Sequence, residues 1–196
     1  TGANAIGVVG SDDKKEHVLS LGAKGVLNRK DFNCWGQLPT VNGPEFNDYM
    51  KESRKFGKAI WELTDKKDVD IVFEHPGEST FPVSVFVVKR GGMVVICAGT
   101  TGFNLTMDAR FLWMRQKRVQ GSHFANLKQA SAANQLVINR RIDPGMSEVF
   151  PWEDIPAAHD KMLDNKHLPG NMAVLVTSPK PGLRTVEDVL AVNGQA

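Results

Sequence analysis

Val69-Asp70-Ile71-Val72-Phe73 is a short apolar run of strand type. Residues 79–89 follow as a mostly apolar helix, and Gly92-Met93-Val94-Val95-Ile96-Cys97 is a second, unbroken apolar strand. An apolar run without alternation is the mark of a strand covered on both faces. Two such strands joined through a helix make a parallel step, because parallel neighbours need a crossover. The same alternation extends outward. Upstream lie a strand at Ala5-Ile6-Gly7-Val8-Val9, a helix over residues 13–21 closed by Gly22, a strand at Gly25-Val26-Leu27-Asn28, and a helix over residues 49–63. On that last helix Tyr49, Phe56, Ile60 and Leu63 share a face. Downstream, helix is expected over residues 108–117, strand over 118–122 and helix over 126–140. The expectation is an α/β protein with a doubly wound parallel sheet.

The sequence opens on Thr1-Gly2, which reads as a helix end, and the first strand follows at once. The glycine-rich loop that follows the first strand of a Rossmann-type sheet is absent, and its expected place lies upstream of Thr1. The chain is therefore expected to be a Rossmann-type domain lacking its first strand and glycine loop, spanning residues 1–142. Beyond Asp143-Pro144-Gly145 the pattern changes to a helix near residues 153–165, a strand at 172–177 and a proline-rich tail. Residues 143–196 are expected to leave the first domain. The irregular stretch over residues 30–47 is long for a connection in a compact domain, so it is functional or an insertion.

Composition sets the outer bounds. The 196 residues are 41% hydrophobic and 23% charged, a globular balance. Lys+Arg 24 against Asp+Glu 22 leaves +2, too even for a nucleic-acid or anionic-membrane binder, while small phosphorylated ligands stay possible. Two cysteines, Cys34 and Cys97, are too few for a disulfide scaffold or a four-cysteine zinc lobe. No apolar run approaches the roughly 20 residues of a membrane helix. With no basic-then-apolar leader, a cytoplasmic location is the default expectation.

Ligands of such sheets bind outside the carboxyl ends of the strands. At the first such end, Ser11 and Lys14 follow Gly10, and Arg29 follows the neighbouring strand. A hydroxyl and two cations can converge on a phosphate. Asp12 and Asp13 run against this, although both suit a helix start. The alternative is an ordinary solvated helix start. His75, between Glu74 and Pro76-Gly77, is the best chemical candidate: an imidazole at a strand end can orient water or move a proton, or else simply pack. His123 at the end of the 118–122 strand is the weaker one. His17, His159 and His167 read as surface, Cys97 as core, and Cys34 as a loop thiol without an activating partner. The basic, aromatic run Trp113-Met114-Arg115-Gln116-Lys117-Arg118 reads as a helix end with cations suited to its dipole. A contact with a phosphorylated substrate or a neighbouring subunit is the alternative. Nucleophile-elbow, Walker and zinc-protease motifs are absent.

Gly22-Ala23-Lys24-Gly25-Val26-Leu27-Asn28-Arg29-Lys30, Phe73-Glu74-His75-Pro76-Gly77, Lys89-Arg90-Gly91-Gly92-Met93, Phe111-Leu112-Trp113-Met114-Arg115 and Gly121-Ser122-His123-Phe124-Ala125 together resemble the medium-chain dehydrogenase/reductase superfamily. Within it they are most similar to the family of crotonyl-CoA carboxylase/reductases. The resemblance implies NADPH-dependent reduction of crotonyl-CoA with capture of CO₂, giving ethylmalonyl-CoA, by a parent enzyme of which this chain is the cofactor-binding part. By position it implies that His75 helps hold CO₂. It also implies that Ser11, Lys14 and Arg29 meet the 2′-phosphate, and that Gly77, Ala98, Gly99, Ser122 and His123 line the cofactor. It implies no zinc, an acyl-CoA substrate and a homo-oligomer, a tetramer. The strand at 172–177 would belong to the sheet of a separate catalytic domain. An enoyl-thioester or quinone reductase without carboxylation and a non-catalytic nucleotide-binding module remain open alternatives.

Overall fold

The computed structural model describes residues 2–181 and residue 191. Thr1 and most of the proline-rich tail lie outside these, so the reading of Thr1-Gly2 as a helix end rests on Gly2 alone, at φ +79°. Two compact units divide the chain between Phe124 and Ala125. This division precedes the helix expected at 126–140, whereas the sequence boundary at 142 follows it.

In the first unit β1 (Ile6–Val9) pairs in parallel with β2 (Gly25–Asn28), and α1 (Lys15–Ser20) connects them. A second parallel sheet has the order β3 (Val69–Glu74), β4 (Val88–Ile96), β5 (Arg118–Gly121). Its crossovers are α3 (Phe81–Val87) and α4 (Ala109–Met114), while α2 (Phe46–Leu63) links the two sheets. Among the described residues no ladder joins β1 to β3. The orders β2-β1 and β3-β4-β5 are those of a doubly wound sheet without its central strand.

The helices form where their apolar spacing demands. α2 buries Phe46, Tyr49, Met50, Ser53, Phe56 and Ile60, a single stripe at helical spacing. α3 buries Phe81, Pro82, Val83, Ser84, Val85 and Val87. A helix apolar on every side needs cover all round, and α3 sits between two core clusters. Val83 and Val87 meet Phe56, Ile60 and Cys34; Phe81 and Val85 meet Val88 and Val94. Burying each large aliphatic or aromatic group contributes about 1.5–3 kcal/mol. On the other side of β3 the cover stops: Val72 packs into both clusters, while Ile71 is 61% and Phe73 70% exposed.

Residues 32–45 form a strap between β2 and α2. Cys34 is sunk into the core at 1% exposure, and the rings of Phe32 and Trp35 meet Phe56 edge-on at 5.1 and 5.2 Å. Three bonds tie the strap to the β3–β5 half: Gly36 N–H to Ser79 O at 2.6 Å, Gln37 to the Glu78 carboxylate, and Leu38 N–H to Thr106 Oγ1 at 2.9 Å. Long as it is, the connection is structural.

The second unit contains α5 (Leu127–Ile138), β6 (Met146–Pro151), α6 (Ile155–Leu163) and β7 (Asn171–Leu175), with β6 and β7 parallel. α5 begins in a capping box, in which Asn126 and Gln129 bond each other's backbone N–H. The strand expected at 172–177 is therefore β7, and its partner is β6 of this same chain. Among the described residues no helix is long and apolar enough to cross a membrane.

Candidate functional site

Five strand ends of the first unit carry the residues of interest. At the end of β1 the guanidinium of Arg29 lies against the backbone: a Cβ at Gly10 would stand 3.6 Å from Arg29 Nε. Around it the carboxylates are engaged within the chain. Asp12 pairs with Lys15 at 2.6 Å and accepts from Asn28 Nδ2 at 3.1 Å, which holds its carboxyl below the usual value. Ser11 does the same for Asp13 through its hydroxyl. Lys14 and Arg29 are exposed and make no ion pair with a described residue. Ser11, Lys14 and Arg29 thus stand on adjacent strand ends with both cations free, and Ser11 is occupied by its neighbour. Sequence reasoning missed Asn28, a buried amide that bonds both Asp12 and Lys30 N–H. Asparagine as the last residue of an otherwise apolar strand was the available signal.

The end of β3 is the most constrained. Glu74 is 2% exposed. Its Oε1 accepts from Gly77 N–H at 3.0 Å and from the Thr80 hydroxyl, and its Oε2 accepts from the Ser84 hydroxyl. Its carbonyl oxygen accepts from Cys97 N–H at 3.2 Å at the end of β4. His75 follows directly. It is exposed and hydrogen-bonds to no described residue.

Gly77 is buried at φ +89°, and a Cβ there would lie 2.8 Å from both Gly102 O and Gly99 Cα. The turns after β3 and β4 touch backbone to backbone, also through Thr101 N–H to Pro76 O at 2.8 Å. Gly77 thus packs against protein, and Ala98 and Gly99 are the half-buried residues of this pair of turns. Cys97 was expected in the core. It is exposed, because β4 ends at Ile96 and the chain turns outward one residue earlier than its apolar composition implies. Ser122 N–H continues the ladder to Ile96 O at 2.8 Å, and the exposed His123 ring stands edge-on to Phe124 with centroids 4.1 Å apart.

Other sites on the chain have no such character. Burial pushes the Cys34 thiol up to about 12, so it is no nucleophile at neutral pH. Lys117, expected among the cations that complement a helix end, is 8% exposed and donates to Val85 O and Phe86 O, both at 2.8 Å. It does complement a helix C-terminus, but that of α3 and not of its own α4. Among the described residues no three His, Cys, Asp or Glu side chains converge, so they do not fit a zinc ion.

Residues 1–139, which span these parallel strands and their carboxyl ends, match the family model described as zinc-binding dehydrogenase. The chain belongs to that family. It is 70% identical, over all 196 residues, to the crotonyl-CoA carboxylase/reductase of Cereibacter sphaeroides, of which it spans 46%. A solved crotonyl-CoA carboxylase/reductase is 72% identical and superposes with a TM-score of 0.89 over 98% of this chain and 45% of its own. A 2-octenoyl-CoA carboxylase reductase in complex with NADP and 2-octenoyl-CoA is 33% identical, with a TM-score of 0.79 over 98% of this chain and 42% of its own. The chain thus spans about half the length of the relatives it matches.

Proposed function

We propose that this chain is the NADPH-binding part of an enoyl-CoA carboxylase/reductase, whose reaction is the reductive carboxylation of crotonyl-CoA to ethylmalonyl-CoA. The carrying observation is the charge arrangement at the ends of β1 and β2. Both aspartates are satisfied internally, and Lys14 and Arg29 are left without a counter-ion among the described residues. A ribose diol wants a free carboxylate at this place, whereas a 2′-phosphate wants free cations. The residues therefore fit NADPH in preference to NADH. Residues 1–142 would form the cofactor domain and residues 143–196 return toward a catalytic domain. NADPH and acyl-CoA are cytoplasmic substrates, and a homo-oligomer, a tetramer, accompanies this reading.

When bound, the dihydronicotinamide supplies a hydride to the β-carbon of the enoyl thioester. This chain's own residues would hold the cofactor and help hold CO₂. Arg29 and Lys14 hold the 2′-phosphate, with Ser11 able to turn from Asp13 to join them. The packed turns at Gly77, Ala98 and Gly99, together with Ser122 and His123, shape the place where the reactive ring lies. His75 donates a hydrogen bond, directly or through water, to an oxygen of CO₂. This keeps the carbon within reach of the nucleophilic α-carbon, which forms the new C–C bond and leaves a carboxylate. If CO₂ is not held, the α-carbon takes a proton instead, and butyryl-CoA results. The test is to supply crotonyl-CoA, NADPH and labelled bicarbonate to the enzyme containing this chain. Labelled ethylmalonyl-CoA is the expected product, and a His75→Leu variant shifts it toward butyryl-CoA. Unlabelled butyryl-CoA alone from the wild-type enzyme would reduce the assignment to an ordinary enoyl reductase.

A further inference from the structure

We propose that Glu74 is the positioning residue for His75, holding the turn over residues 75–80 so that the imidazole is presented to CO₂ and not folded back onto the protein. This rests on the role just proposed for His75. Glu74 is almost wholly buried, yet no lysine or arginine pairs with it among the described residues. A buried carboxylate is costly unless its lone pairs are used. Here they are used by three neutral donors, and all three lie in the segment that follows His75: Gly77 N–H, the Thr80 hydroxyl and the Ser84 hydroxyl. The spacing is particular. Gly77 lies in the turn, Thr80 stands at the N-cap position of α3 without bonding the helix through its side chain, and Ser84 is one turn further along it. One side chain therefore joins the strand end, the turn and the helix start.

Three donors converge on two oxygens. An amide keeps only one acceptor oxygen, so in Glu74→Gln the Ser84 hydroxyl would have to turn and accept from the amide nitrogen, which replaces a charge-assisted bond by a weaker neutral one. The backbone is fixed from the other side as well. Glu74 O accepts from Cys97 N–H, and the buried Gly77 abuts Gly99 and Gly102. Between these two anchors, at residues 74 and 77, His75 has little freedom in its main chain, and its ring bonds to none of the described residues. Glu74 therefore fixes the backbone from which the exposed imidazole projects, and so the position of its Cα and Cβ. A misplacement of about 1 Å at a reacting centre can reduce a rate by about a hundredfold.

The test compares wild-type enzyme with Glu74→Gln, His75→Ala and the double variant, reading ethylmalonyl-CoA against butyryl-CoA at equal NADPH consumption. A role confined to folding lowers both products together and leaves their ratio alone. The positioning role predicts that Glu74→Gln lowers the carboxylated fraction by about tenfold at constant turnover. It also predicts that the double variant matches His75→Ala alone, because Glu74 acts only through His75. Should Glu74→Gln fail to fold, Ser84→Ala, which removes one donor and keeps the carboxylate, is expected to move the ratio in the same direction. An unchanged ratio in the folded variants, or effects that multiply in the double variant, overturns the proposal. A wild-type enzyme that makes no ethylmalonyl-CoA overturns the reading beneath it, which separates the two failures.

Discussion

Replacing Gly77 by alanine tests whether the strand ends form a packed unit. At φ +89° an L side chain crowds the carbonyl that follows it, which costs about 1–2 kcal/mol. The new methyl would also stand 2.8 Å from Gly102 O and 2.8 Å from Gly99 Cα. Both are backbone atoms, so neither can swing aside, and overpacking of this kind adds about 1–3 kcal/mol. The total, about 2–5 kcal/mol, is a large share of the about 5–15 kcal/mol that stabilises a domain. Gly91 provides the control: its φ is +70° and nothing lies within 4 Å of its Cβ position, so Gly91→Ala retains only the conformational cost, about 1–2 kcal/mol. Urea titrations of both variants, followed by tryptophan fluorescence and compared at a common slope, give the two losses. Gly77→Ala is expected to exceed Gly91→Ala by 1 kcal/mol or more, about the lower bound for overpacking. Equal losses would mean that the turns after β3 and β4 do not press on one another, and the reasoning would fail.

Three further outcomes follow from groups already described. Burial lowers the Lys117 ammonium from 10.5 to about 8, so between those values the unfolded chain holds the extra proton and stability rises with pH. Against Lys117→Met, which cannot titrate, the wild-type protein should gain about 1–3 kcal/mol between pH 7.5 and 10 in urea midpoints, and a flat difference would contradict the desolvation argument. With a thiol reagent, Cys97 should react at once and Cys34 only in denaturant; two fast equivalents would place Cys34 outside the core. Arg29→Ala should weaken NADPH binding by about tenfold or more, a lost charge-assisted contact, and leave NADH nearly untouched. Equal loss for both cofactors in a fluorescence titration would remove Arg29 from the 2′-phosphate.

The order of strands and helices through β5 was legible because each apolar period of the first unit corresponds to an element, and α2, α3 and β4 bury theirs in the core. The failures share a cause. Cys97, Ile71 and Phe73 are as apolar as their neighbours, but composition does not say where cover ends, and in the described structure all three face outward. Lys117 reads as a cation of its own helix end because nothing local reveals that Val85 O and Phe86 O, some thirty residues away in sequence, need a donor. β6 was missed because only Val149 and Phe150 of its six residues are strong strand formers, and Pro151 ends it. At the site, the exposed positions of His75 and Arg29 followed from where strands end. The Glu74 network was visible only as an unremarked Thr80–Ser84 pair at helical spacing, since a carboxylate after an apolar strand reads equally well as a solvated tip.

The strap over residues 32–45 means that the covalent link between the two half-sheets is not what keeps them together. Cys34, Phe32 and Trp35 enter the core upstream of the exposed stretch around Asn42, Pro44 and Glu45. A protease nick between residues 42 and 45 would therefore leave the first fragment holding the second by its own buried side chains. The same position is a natural place to divide the gene, with the halves expressed separately and reassembling as a split protein.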